Sequence, residues 1–342
     1  MNGCITAIIT PFDRSQRLDE EGFASIIDFQ IKNGVSGLVV AGTTGEGPTV
    51  TEDEWRSILS IALDRCKGKC KVIANVGANV TGKAIHLTEK AAELGCDTVL
   101  AVDPYYNAPS SLEIRKEYYE PIARDFPDIN VIPYIIPSRT GTQILPFDLY
   151  MLNLDHKNIN TIKDATGSDA FAREVRSLCG DRLHILSGDD DRTFAMMNDS
   201  SIRAEGVISV MSNIAPKAVA SMTDALLRGD INNARIWQEK LKPLFQVVTV
   251  RSEEVVGNGI SMLKFRNPVP VKAMSNILGI PSGPCRQPLG KLTANALSII
   301  LDVLRKVWQS SPEVLRPIEE SFPVSIEERL ESDKYAKGIY YE

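Results

Sequence analysis

Short β-branched runs bounded by Gly, Pro, Asp or Asn return about every 25 to 35 residues along the first two thirds of the chain, with stretches of helical length between them. That interval is the length of one βα unit. The runs are Cys4–Thr10, Ser36–Ala41, Lys71–Val76, Thr98–Asp103, Asn130–Ile135, Asn160–Lys163, His184–Ser187 and Gly206–Val210. They are near-continuously apolar, as strands covered on both faces are. Helix starts punctuate the intervals: Thr51-Glu-Asp-Glu54 reads as a capping box, and Thr81 precedes a stretch whose apolar face includes Ile85 and Leu87. Eight strands, each followed by a helix, predict a (β/α)8 TIM barrel. A doubly wound open sheet is the runner-up, but it requires a Gly-rich phosphate turn after an early strand, and neither GxGxxG nor GxxxxGK[ST] occurs.

Beyond Val210 the pattern turns helical, over roughly Pro216–Arg228, Ile231–Val250, Val271–Leu278 and Lys291–Gln309. We therefore divide the chain into a catalytic barrel (1–225), a C-terminal helical region (226–310) and a charged tail (311–342). In the tail acidic residues outnumber basic ones two to one. It reads as a segment that is extended, poorly ordered or draped on a neighbour.

A chain 43% hydrophobic and 24% charged is ordinary globular protein, which excludes a disordered or collagen-like chain. Its net charge of −6 argues against nucleic acid as a partner. The longest apolar runs, Val35–Ala41 and Ala296–Val307, fall far short of the roughly twenty residues that span a bilayer. Six scattered cysteines and an N-terminus without a basic stretch and apolar core lead us to expect a cytoplasmic protein with reduced thiols. Cys66 and Cys70 lie close in RCKGKCK, but no second pair completes a zinc set. His86, His156 and His184 are too scattered for a metal triad, so no metal is expected.

In such a barrel the chemistry sits at the C-terminal ends of the strands. Lys163 ends the sixth. A lysine held out of water is pushed toward its neutral amine, a nucleophile able to form a Schiff base with a carbonyl; alternatively its stem snorkels to solvent or it pairs with Asp164. Tyr134 ends the preceding strand and could serve as acid/base or simply pack. Arg139, in a Pro-Ser-Arg-Thr-Gly turn, could grip a carboxylate through its guanidinium fork or face solvent. Gly42-Thr43-Thr44-Gly45-Glu46-Gly47 offers backbone amides and two hydroxyls to a small carboxylate, or is a plain βα turn. Pro104-Tyr105-Tyr106-Asn107 is either an interfacial or a catalytic turn. No GxSxG elbow supports Ser/His/Asp hydrolysis.

Seven motifs stand in order: GTTGE (42–46), PYYN (104–107), YxxPSRTG (134–141), IKDATG (162–167), LSGDD (186–190), GVISV (206–210) and NPVPVK (267–272). Through them the chain resembles the dihydrodipicolinate synthase family from about residue 3 to about residue 300. The resemblance implies a class I aldolase-type lyase. It would condense pyruvate with aspartate-4-semialdehyde in the diaminopimelate route to lysine, without cofactor or metal. By motif match, Lys163 would form the imine and Tyr134 would be the acid/base. Thr43 and Tyr106 would extend a hydroxyl relay, Tyr106 reaching the neighbouring subunit's site, so that a homodimer or homotetramer is expected. Thr44 would hold the pyruvate carboxylate, Gly188 and Ile208 would line the pocket, and Arg139 would bind the semialdehyde carboxylate.

N-acetylneuraminate lyase and the 2-keto-3-deoxy sugar acid aldolases share the lysine and tyrosine, and so stand as alternatives, as does a non-catalytic keto-acid-binding barrel. Ile135 stands where the family usually has Asn, removing a hydrogen-bonding group expected near the site. In the family's lysine-effector site Asn79 and Tyr105 match, but Gly47, Pro48 and Glu52 depart from the bacterial pattern. Lys83 replaces a frequent Glu there and would repel an ammonium. Weak or absent inhibition by lysine is expected; half-maximal inhibition at submillimolar lysine would contradict it.

Overall fold

The computed structural model describes residues 1–342. Eight parallel strands close into a barrel in sequence order: β1 (Gly3–Ala7), β2 (Gly37–Val40), β3 (Lys71–Asn75), β4 (Thr98–Val102), β5 (Asn130–Ile135), β6 (Thr161–Asp164), β7 (His184–Ser187) and β8 (Gly206–Ser209), with β8 pairing back to β1. All eight sequence-predicted strands form, within three residues at either end. The barrel interior is a small layer holding Ile5, Val39, Leu100, Ile132, Tyr134 and Ile208. The larger core lies between the strands and the surrounding helices. Along β6 the pleat sends Ile162 outward into that core and Lys163 inward.

Of the two helix starts quoted from the sequence, Thr81 is the first residue of the helix Thr81–Glu93 rather than its cap, its hydroxyl donating to the Glu117 carbonyl, whereas the other forms as expected. Thr51 and Glu54 form the capping box of the helix Glu52–Cys66, each side chain bonding the other residue's backbone N–H.

The C-terminal region departs from expectation in two places. The helix Ile231–Phe245 stops short of Val250, and Thr249–Val256 and Gly259–Arg266 form an antiparallel hairpin, β9–β10, around a two-residue Gly257-Asn258 turn. The helices predicted at Val271–Leu278 and Lys291–Gln309 form as Val269–Leu278 and Ala294–Ser310. Residues 312–335 are neither extended nor free. Short helical turns at Pro312–Val314, Arg316–Glu319 and Ile326–Glu331 bury Leu315, Ile318, Ile326 and Leu330.

Phe322 packs on Phe29 of the helix Glu20–Lys32 with ring centroids 5.3 Å apart. The Arg329 guanidinium donates to the carbonyls of Asn276 and Ile277, covering acceptors at the end of the helix Val269–Leu278. Each buried apolar side chain contributes about 1.5–3 kcal/mol. The charge count concealed that contribution. No helix is long and apolar enough to cross a membrane.

Candidate active site

A cavity of about 640 Å³ opens at the C-terminal ends of the barrel strands, with Lys163 on its floor. Lys163 and Tyr134 are register partners across β5 and β6 and are each only 5% exposed. Lys163 Nζ lies 4.0 Å from the centroid of the Tyr134 ring. No carboxylate forms an ion pair with this lysine. The amine thus lies against the ring face, where an aromatic ring attracts a cation.

Thr43, Thr44, Arg139 and Gly188 line the same cavity, so the structure brings together six of the eight residues singled out from the sequence. Two lie elsewhere. Ile208 sits in the barrel interior beneath the cavity, and Val210, two residues further along the chain, reaches the wall. Tyr106 is 89% exposed with φ +82°, outside its own chain's cavity. A bulky residue rarely adopts that backbone conformation, and when it does the strain usually has a purpose. Ile135 is fully buried in the outer core, so the lost hydrogen-bonding group of the resemblance does not alter the cavity wall.

The turn after β2 is held from below. Glu46 has φ +55° and is fully buried. Its carboxylate accepts from Lys272 Nζ at 2.6 Å and from the Arg286 amide at 2.7 Å. Lys272 completes its coordination with the carbonyls of Thr10 (3.0 Å) and Pro284 (2.8 Å), and burial pulls its pKa down against the opposing pull of Glu46. Gly47 is obligatory, because a Cβ there would meet the Ala41 carbonyl oxygen at 2.1 Å.

Asn267, buried at the start of the NPVPVK motif, donates Nδ2–H to Thr44 Oγ1 at 2.9 Å. That bond occupies an acceptor lone pair of the hydroxyl and leaves its hydrogen free for a bound carboxylate. Asn267 Oδ1 is buried without a hydrogen-bond partner.

The loop after β7 adds two acids that the sequence reading quoted but did not use. Asp190 is tied to the end of β8, accepting from the hydroxyl of Ser209 and from the amides of Val210 (2.9 Å) and Met211 (3.0 Å). Asp189, on the cavity wall, is pushed up to about 6, mainly by burial and next by Asp191, with Lys163 opposing. Gly188 is required just before them, since a Cβ would lie 2.6 Å from that of Ala165. After β5, Arg139 donates to the Asn267 carbonyl at 2.9 Å. Its pKa is lowered chiefly by lost solvation and, after an opposing effect of Tyr134, by Arg266.

Comparison with known proteins gives one answer. The model of the dihydrodipicolinate synthetase family matches residues 1–306. The 4-hydroxy-tetrahydrodipicolinate synthase of Trichlorobacter lovleyi is 41% identical over 292 residues, covering 85% of this chain and 93% of the relative. That of Geobacter metallireducens is 42% identical over 287 residues, covering 84% and 92%. The solved structure of the 4-hydroxy-tetrahydrodipicolinate synthase from Methylacidiphilum fumariolicum superimposes with a TM-score of 0.81 at 32% identity, covering 94% of this chain and 99% of that one.

Proposed function

The chain belongs to the dihydrodipicolinate synthetase family, and from that premise we propose that it is a Schiff-base lyase condensing pyruvate with aspartate-4-semialdehyde to 4-hydroxy-tetrahydrodipicolinate, in the diaminopimelate route of lysine biosynthesis. The observation that carries the residue assignment is Lys163, buried near the end of β6 with its amine against the ring of Tyr134. Its amine attacks the ketone of pyruvate, and water leaves as the imine forms. The protonated imine draws electrons from the adjacent methyl, which loses a proton and attacks the aldehyde carbon as an enamine. Tyr134 carries the protons of these steps, with Thr43 beside it on the cavity wall. Thr44 receives the pyruvate carboxylate with the hydrogen that Asn267 leaves free, and Arg139 takes the carboxylate of the semialdehyde. Attack of the semialdehyde's amino group on the imine carbon then closes the ring and releases Lys163.

Asp189 and Asp191, after β7, and Arg139, after β5, line the same cavity. A substrate bearing both an ammonium and a carboxylate suits those walls better than a neutral polyol does. The strained, exposed Tyr106 supports a homo-oligomer in which it serves the neighbouring subunit's site.

The test is incubation with pyruvate, borohydride reduction and peptide mass spectrometry, followed by turnover with aspartate-4-semialdehyde. An adduct on Lys163 and turnover with that aldehyde are expected. Absence of any lysine adduct would overturn the aldolase chemistry. An adduct with turnover only on sugar-derived aldehydes would overturn the substrate.

A further inference from the structure

The hairpin β9–β10 has two unlike faces. One is fastened to the protein: Val250 is 2% exposed, and Glu254 accepts from Thr293 Oγ1 and from Asn295 Nδ2, beside and within the helix Ala294–Ser310. The other carries Arg251, Lys264 and Arg266, and all three line the cavity above Lys163.

Arg251 and Lys264 are direct cross-strand partners. Like charges placed opposite each other weaken a ladder. Nothing in the protein neutralises this rung, since none of the three cations takes part in an ion pair. Arg266 donates only to the Ser138 carbonyl, at 3.0 Å. Glu253, the acid on the same face, stands opposite Met262 and pairs with no cation. Lys264 registers the crowding, its pKa lowered first by Arg266, then by lost solvation, then by Arg251 and Arg139. Asp189 and Asp191 lie on the cavity wall formed after β7, where they leave these cations unpaired. A repulsive rung at the mouth of a cavity is a local cost that an anion lying against it would remove.

We propose that Arg251, Lys264 and Arg266 form a second anion subsite at the cavity mouth, beyond the carboxylate position given to Arg139, which takes a carboxylate or phosphate group. The proposal rests on the cavity being the substrate site. The group it takes is either the semialdehyde's carboxylate on its way to Arg139 or a free anion acting on the enzyme.

Titration with inorganic phosphate and with malonate, by calorimetry and as inhibitors of turnover, tests this on the full chain. Saturable binding to the wild type is expected, weakened at least about tenfold in Arg251→Glu, the loss of one charge-assisted contact. That variant sets a carboxylate opposite Lys264 and makes the rung attractive, so its melting temperature should not fall and lost binding is not lost folding. Inhibition competitive with the aldehyde assigns the subsite to substrate, and inhibition that is not competitive assigns it to a free anion. Either result supports the subsite. Failure of the wild type to bind either anion, or equal binding by the variant, overturns it. Borohydride trapping of pyruvate on the wild type, run alongside, reports on the Lys163 chemistry separately. A missing adduct there would sink the aldolase reading and leave the anion titration standing on its own.

Discussion

On the barrel side of the cavity, Lys163 and Tyr134 are 5% exposed, set by register on adjacent strands of a closed sheet, and backed by the turn that Glu46 and Lys272 hold in place. On the hairpin side, Arg251 and Lys264 are exposed, occupy one repulsive rung of an isolated two-stranded ladder, and have no partner of opposite sign. The first arrangement fixes atoms to the precision that covalent chemistry needs, because every neighbour is packed. The second presents charge with little constraint on position, which suits the capture and orientation of a charged molecule. The barrel wall should therefore govern kcat, and the hairpin wall should govern affinity.

Changes on the barrel wall should give the largest effects. Lys163→Ala is expected to abolish turnover, whereas a cavity that only binds a keto acid would lose part of its affinity. Tyr134→Phe should lower kcat by about 10²- to 10⁴-fold, the usual contribution of a positioned proton carrier. A pyruvate adduct on Lys163 should still be trappable in that variant. If kcat survives in Tyr134→Phe, the division between the two walls is wrong.

The support beneath the wall comes next. Lys272→Met would leave the Glu46 carboxylate buried without its partner, at a cost of about 3–5 kcal/mol measurable by denaturant unfolding. Because Glu46 shapes the turn that carries Thr43 and Thr44, the apparent affinity for pyruvate should fall with it. Loss of stability with unchanged pyruvate KM would separate the ion pair from the site.

These contrasts also explain what could be read in advance. Strands covered on both faces leave uninterrupted apolar runs, so all eight were visible, and Lys163 and Tyr134 stood out as polar residues at the ends of two of them. The hairpin lies almost wholly in the stretch between Val250 and Val271, to which no element was given. Its signal was Gly257-Asn258 between two β-branched segments, TVRSEEVV and GISMLKFR. The last thirty residues were judged by charge, although Leu315, Ile318, Ile326 and Leu330 recur there at spacings of three to eight residues. Contacts such as Asn267 with Thr44, or Lys272 with Glu46, join residues more than two hundred positions apart. No local pattern records them.

A pH profile sharpens the comparison at smaller amplitude. Asp189 has its pKa raised to about 6, so it is mostly neutral below that pH and ionised above it. Ionised, it places a negative charge on the wall that holds the cationic imine. Turnover should therefore rise with pH through about 6 and level off above it. In Asp189→Asn this limb should flatten, because the amide does not titrate. An unchanged limb would assign it to another group.

The smallest effect is expected at the hairpin tip, where Val255, Val256, Ile260 and Met262 are 57–82% exposed. Glu254 and Ser261 are cross-strand partners, so replacing Val255–Ile260 by Asn-Gly joins them through a two-residue turn without disturbing the Arg251–Lys264 rung. The residues removed bury little surface. Stability should change by no more than about 1 kcal/mol, the scale of the turn and its cross-strand pairs, and imine trapping on Lys163 should be unaffected. Loss of trapping in this variant would mean that the hairpin helps to build the floor of the site, and the two walls would then be one cooperative unit rather than a rigid catalytic half with a recognition element hung beside it.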